Sequence, residues 1–165
     1  LNNVSGKCLS SSDARAVKEL LSAEIGAGDI LCIYRYKKYY DMPPDEIINH
    51  IIPVKRKISR GKLLELASCE LGDFSDIVKT LRYSDIFSGA EEQEWDKRIK
   101  GYLYRLYHRQ LRGSAYGFCT VLCYLYLKEL EINNIITVVE GVRYGVAPES
   151  IRRYLCFDGH VVYGK

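Results

Sequence analysis

The stretch from Tyr116 to Tyr144 reads YGFCTVLCYLYLKELEINNIITVVEGVRY and carries the strongest structural signal in the chain. Apolar residues recur along it every seven positions, at Phe118, Leu125, Ile132 and Val139. A repeat of this kind predicts a long α-helix with one apolar stripe. We expect the stripe to be buried against neighbouring helices.

Helical patterns also flank this stretch. Apolar residues from Trp95 to Leu106 fall at helical spacing, with acidic residues before them and arginines after them, an order that complements the helix dipole. Gly113 should end that helix. Beyond the long helix, Pro148 should begin a last short helix that runs through Tyr154.

The first half of the chain predicts shorter elements. The cluster from Ser10 to Asp13 is typical of a helix N-cap, and the helix that follows contains two weakening glycines, Gly26 and Gly28. A short helix over Asp45–Ile51 is expected after a proline pair.

Further helices are expected along the rest of this half. Ser59 should cap one helix and Asp73 or Ser75 the next. The connector from Tyr83 to Gly89 is the best boundary, which gives a first helical unit, 1–85, and a second, 86–165.

Two segments are also compatible with β-strands. Ile30–Tyr34 and Ile135–Val142 are rich in β-branched residues, and periodicity alone does not decide short apolar runs. Helix is favoured for both, because each continues a helical stripe in phase. The fold class predicted is therefore all-α, with long packed helices.

The two halves share a pattern of breaks, which indicates an internal repeat. Without a gap, the residues Val17, Leu21, Tyr40, Pro44 and Ile47 align with Val121, Leu125, Tyr144, Pro148 and Ile151. Each copy has a long apolar helix, an aromatic-small break and a proline-initiated short helix. Pseudo-symmetric helical units of this kind favour an architectural role over a catalytic one.

Composition narrows the function classes. The chain has 165 residues, 47% hydrophobic and 27% charged, and a net charge of +3, which is too weak to argue for a nucleic-acid partner. Its six cysteines include no C-x-x-C pair and suit a reducing cytoplasm. The longest apolar run, Ala115–Leu127, is too short to span a membrane, so any membrane association is expected to be peripheral. The polar start, with Leu1 in place of a methionine, suggests a fragment or trimmed product without a signal peptide.

Motifs for catalysis are missing from the sequence. Gly61-Lys62 lacks the other residues of a phosphate-binding loop, and neither a dinucleotide fingerprint nor H-E-x-x-H occurs. Cys119 and Cys123 would share a helix face, and His108 is the other ligand candidate nearby, but zinc needs about four ligands. Two cysteines packed in the core are the favoured interpretation. We therefore expect no enzymatic activity, no cofactor and no metal.

Basic residues form the main candidate binding patch. Arg35-Tyr36-Lys37-Lys38-Tyr39-Tyr40, together with Lys55-Arg56-Lys57 and Arg60, alternates cations with aromatic rings, a pattern found in nucleic-acid binders. A solvated helix end and loop is the favoured interpretation, because lysines suit a helix C-terminus. A protein or membrane surface and a nucleic acid are the alternatives.

Several segments resemble a known family, the C subunits of the prokaryotic V-type (A-type) ATPases, which also includes the d subunit of eukaryotic V-ATPases. The similar segments are Arg35–Ile47, Ser59–Leu66, Ala115–Phe118, Leu125–Ile135 and Gly141–Arg152, in the family's order. Gly26-Ala27-Gly28-Asp29 departs from the family's Asp-x-x-Asn, which puts the continuity of the first helix in doubt. The family chain is longer, so an N-terminal portion is expected to be missing here.

The resemblance implies a non-catalytic, all-helical subunit that links the central stalk to the membrane proteolipid ring of a rotary ATPase. It implies stalk and ring subunits as partners, no nucleic acid, and a cytoplasmic location peripheral to the membrane. The charges at the repeat breaks are the expected docking residues: Arg35, Lys37, Lys38, Arg143 and Arg152. A helical nucleic-acid-binding or regulatory module is the alternative function.

Overall fold

The computed structural model describes residues 10–52, 58–87, 92–113 and 117–156. Within these ranges it contains eight helices, 84% of the residues are helical, and no strand occurs, so the predicted all-α class is confirmed. The helices are α1 (Ser11–Tyr40), α2 (Pro44–His50), α3 (Arg60–Ser68), α4 (Leu71–Lys79), α5 (Ser84–Phe87), α6 (Glu92–Gly113), α7 (Phe118–Arg143) and α8 (Pro148–Tyr154).

Helix α1 begins where the serine cluster predicts. The Ser10 side-chain oxygen accepts a hydrogen bond from the backbone N–H of Asp13 at 3.2 Å, which satisfies one of the free donors of the first turn. The helix continues for 30 residues through Gly26 and Gly28, so the two glycines that put its continuity in doubt do not interrupt it. The segments considered as possible strands, Ile30–Tyr34 and Ile135–Val142, are both helical, as favoured.

Helix pairs α1–α2 and α7–α8 turn through similar corners. The turn after α1 contains Asp41 with φ 45°, and the turn after α7 contains Gly145 with φ 66°. Both short helices then begin at a proline, Pro44 and Pro148, whose fixed φ suits a first helical turn. The internal repeat stays a prediction.

Helix α4 and the following connector differ from expectation. Helix α4 begins at Leu71 after an extended Glu70 that makes no side-chain cap, so the predicted caps at Asp73 and Ser75 are wrong. Asp73 lies instead in the first turn, where a carboxylate also complements the helix dipole. The predicted connector after Tyr83 contains the short helix α5, whose Ile86 and Phe87 are buried.

Residues 21–96 form one compact unit. Aromatic rings fill its core: the Tyr34 ring lies 4.6 Å from that of Trp95 and 5.2 Å from that of Phe74. Buried Tyr83 donates a hydrogen bond from its hydroxyl to the Ser22 carbonyl at 3.3 Å. Gly26 lies directly beneath that hydroxyl, so a Cβ at this position would collide with it.

Residues 1–20 and 97–165 form the other compact unit. The rings of Tyr107 and Tyr126 stack at 3.9 Å between α6 and α7. Helix α8 packs so closely on α7 that a Cβ at Gly141 would lie 2.6 Å from the Ile151 side chain. The sequence-based division at residues 85 and 86 stays a prediction.

The predicted burial of the long stripe on α7 is wrong. Phe118 is 53% exposed, Leu125 59%, Ile132 56% and Val139 60%. Helix α7 packs on its own unit through another face, which carries Cys119, Cys123, Leu130 and Gly141. Periodicity identifies an apolar face correctly, but it does not show what covers that face.

Candidate interaction surfaces

Two of the predicted docking cations on α1 form ion pairs with α6. An Arg35 guanidinium nitrogen lies 2.6 Å from an Asp96 carboxylate oxygen, and the Lys38 ammonium lies 2.5 Å from Glu92. The Tyr39 hydroxyl also donates to Glu92, at 3.1 Å. The hydrogen bond with Glu92 raises the pKa of Lys38. Within residues 21–96, these two cations therefore help to hold the start of α6 against the end of α1.

The third predicted cation, Lys37, contacts the end of α3. Its ammonium donates to the Leu66 carbonyl at 3.0 Å and also to the Cys69 carbonyl. Carbonyls at a helix C-terminus lack partners within the helix and carry partial negative charge, so a lysine there stabilises the helix end. Lys37 therefore has a packing role within residues 21–96.

The remaining predicted cations, Arg143 and Arg152, lie in the other compact unit. Both side chains are exposed. Arg143 ends α7 and lies 5.8 Å from the centre of the exposed Tyr144 ring, while Arg152 is in the last turn of α8. Of the five predicted docking residues, these two are the ones whose charged groups point into solvent without an ion pair that the structure records.

The basic patch considered for nucleic acid is divided by these contacts. Arg35 and Lys38 face carboxylates, and Lys37 faces backbone carbonyls. The run Lys55–Lys57 lies outside the described residues. Two cations of the patch, Arg35 and Lys38, are thus paired with carboxylates, which weakens their ability to bind phosphates.

A long exposed apolar surface lies on α7, on residues that were expected in the core. Its heptad a and d positions are Phe118, Val121, Leu125, Lys128, Ile132, Ile135, Val139 and Val142. We call these eight residues the outer face of α7. All eight are exposed, and seven of them are apolar. An exposed apolar stripe of this length marks an interaction site.

A groove runs along one edge of the outer face. It has a volume of about 630 Å³ and lies between α6 and α7. Tyr104 and His108 of α6 form one wall, Val138 and Leu130 of α7 form the other, and Cys156 also lines it. Asn134 holds Cys156 in place: its amide donates to the Cys156 carbonyl at 2.8 Å and accepts from the Cys156 N–H at 3.0 Å.

The thiols of Cys119 and Cys123 are both buried, with their sulfur atoms 4.0 Å apart. Burial and the neighbouring thiol raise the pKa of Cys123 to about 12, so it stays protonated at neutral pH and is a poor nucleophile. In the described ranges, no group of three or more His, Cys, Asp or Glu side chains is placed to hold a metal ion.

The described residues thus form a helical structure with aromatic rings in its cores and an exposed heptad face on α7. The model of the family described as ATP synthase (C/AC39) subunit matches residues 2–154, and the chain belongs to this family. The resemblance stated from the sequence is thereby confirmed. Searches of curated proteins and of solved structures returned no match.

Among the helices in the described part of the chain, none is long and apolar enough to cross a bilayer.

Proposed function

We propose that the chain is a non-catalytic coupling subunit of a rotary V/A-type ATPase, in which it links the central stalk to the membrane ring. The observation that carries this proposal is the family match, which extends over residues 2–154 and is to a subunit of an ATP synthase. The proposal places the chain in the cytoplasm at the membrane surface, as part of the complex.

The packing suits a subunit that passes torque. Close-packed interiors have low compressibility and transmit strain. Helix α1 is 30 residues long and α7 is 26, and each is fixed by close contacts: Gly26 lies against Tyr83, and Gly141 against Ile151. A rigid helix of this length carries a displacement from one end to the other without local bending.

Pull-down against isolated stalk and ring subunits tests this function. We expect the full chain to bind the stalk subunits, and isothermal calorimetry to detect no saturable ATP binding at micromolar concentrations. Saturable nucleotide binding, or no association with either stalk or ring, would contradict the proposal.

Arg143 and Arg152 are the proposed docking charges to test first. Reversal of Arg35, Lys37 and Lys38 would place glutamates beside Asp96 and Glu92 and would disturb packing as well as docking. The double variant Arg143→Glu/Arg152→Glu changes exposed charges, each worth about 0.2–1 kcal/mol in association. We expect slower association at low salt and an unchanged melting temperature. Unaltered association would exclude these two arginines from the docking surface.

A further inference from the structure

The outer face of α7 has the pattern of one strand of a coiled coil. Its a and d positions repeat over the 26 residues of α7, about 39 Å at 1.5 Å per residue. Helices with this pattern associate by inserting a and d side chains between those of a facing helix. The helix packs on its own unit with the positions opposite to this seam, Cys119, Cys123 and Leu130 among them. The seam itself is left for another helix.

The groove beside the outer face supplies a second wall. Tyr104 and His108 stand on the α6 side of this groove, and Val138 on the α7 side. A helix that lies along α7 would contact both walls at once, the arrangement by which amphipathic helices bind in apolar grooves.

Charges in the middle of the outer face describe the partner. Lys128 is the one charged residue at the eight a and d positions, and Glu129 and Glu131 flank it at the e and g positions. The Lys128 ammonium now lies 2.6 Å from Glu131, with both side chains about half exposed. A complementary helix needs an acidic residue opposite Lys128, with basic residues on either side of it.

The same charges disfavour a second copy of this chain as the occupant. Parallel pairing would oppose Lys128 to Lys128. Antiparallel pairing along the whole stripe would place Phe118 opposite Val142 of the second copy, and Lys128 opposite Ile132. Glu129, Glu131 and Lys128 of both copies would then meet at the centre, which places four glutamates and two lysines close together. Like charges across a helical interface are destabilising.

We propose that the outer face of α7 and its groove bind one amphipathic α-helix from another subunit of the complex, with an acidic residue packed against Lys128. The identity of the occupant rests on the proposed function, but the shape and charge pattern of the surface do not. The partner helix carries an apolar a and d stripe over about four heptads and basic residues that face Glu129 and Glu131.

Two synthetic four-heptad peptides test the charge pattern. One has a central core glutamate flanked by lysines, and the other has a central core lysine flanked by glutamates, with the same apolar residues. We expect the full chain to bind the first peptide at least about tenfold more tightly than the second. The triple variant Lys128→Glu/Glu129→Lys/Glu131→Lys should reverse this preference. Binding of neither peptide, or the same preference in both proteins, would overturn the proposal.

Matched variants test the location of the surface. Ile132→Asp places a charge in the seam and should weaken binding of the preferred peptide at least about tenfold. Asn133→Asp adds a charge one residue away, at an exposed position outside the seam, and should change binding less than about twofold. Equal effects of both variants would place the peptide elsewhere.

Light scattering and stalk binding separate the remaining outcomes. We expect light scattering to show a monomer in solution. If the protein were instead a dimer, and Ile132→Asp abolished that dimer, a second copy would be the occupant and the proposal would be overturned. Binding to the stalk and ring subunits that Ile132→Asp leaves intact would also overturn it while the proposed function stands. Peptide binding with the expected preference, without any binding to stalk or ring subunits, would support the surface and contradict the proposed function.

Discussion

Substitution of two leucines on α7 distinguishes its buried face from its outer face. Leu130 is 7% exposed and Leu125 is 59% exposed, five positions apart on the same helix. Truncation of a buried leucine to alanine costs about 2–5 kcal/mol, because contacts and transfer free energy are lost together. Full burial of a leucine is worth about 1.5–3 kcal/mol, and Leu125 is about two-fifths buried, so Leu125→Ala should cost less than about 1 kcal/mol.

Thermal unfolding followed by circular dichroism measures the difference. At about 2–4 °C per kcal/mol for a chain of this size, Leu130→Ala should lower the melting temperature by about 4–20 °C, and Leu125→Ala by less than about 4 °C. The substitution Leu125→Asp should likewise leave the protein folded, because the side chain lies on the exposed stripe that the sequence placed in the core. A larger destabilisation by Leu125→Ala than by Leu130→Ala would refute the assignment of an outer face.

Two further outcomes are expected. Gly28→Ala should raise the free energy of unfolding by about 0.5–1 kcal/mol, because alanine favours a helix and nothing lies near the Cβ position. Gly26→Ala should lower the free energy of unfolding, because overpacking against Tyr83 costs about 1–3 kcal/mol. Urea titration measures both values, and stabilisation by both variants would contradict the close approach of Tyr83 to Gly26. At about pH 8, iodoacetamide should modify exposed Cys32 at least about tenfold faster than Cys123, and the Cys123 rate should rise with pH towards its pKa of about 12. Equal rates by peptide mass spectrometry would show that the Cys123 thiol is accessible.

Local signals in the sequence predicted the breaks of the fold well. Pro44 and Pro148 act through their own backbone restrictions, so each marks the start of a helix without knowledge of its neighbours. The serine cluster before α1 is of the same kind. The start of α4 was missed because Glu70 makes no side-chain cap and leaves no signature in the sequence.

Contacts between distant residues were not predictable in this way. Arg35 and Asp96 are 61 positions apart, and Lys38 and Glu92 are 54 apart. The helix dipole explains why acidic residues lie in the first turns of α6, but it does not identify the cations that they contact. Likewise, the heptad pattern of α7 identified an apolar face, but only the packing of Cys119 and Cys123 shows that this face points outwards.

The paired hydrogen bonds between Asn134 and Cys156 have a mechanical consequence. They fasten the backbone that follows α8 to the middle of α7, so a pull applied beyond Cys156 reaches α7 before it reaches α8. The two bonds share the load and must rupture together, whereas the turns of an unprotected helix would unravel one at a time. Helix α8 is thereby shielded from tension, and Cys156 keeps a fixed position on this unit while force passes through it.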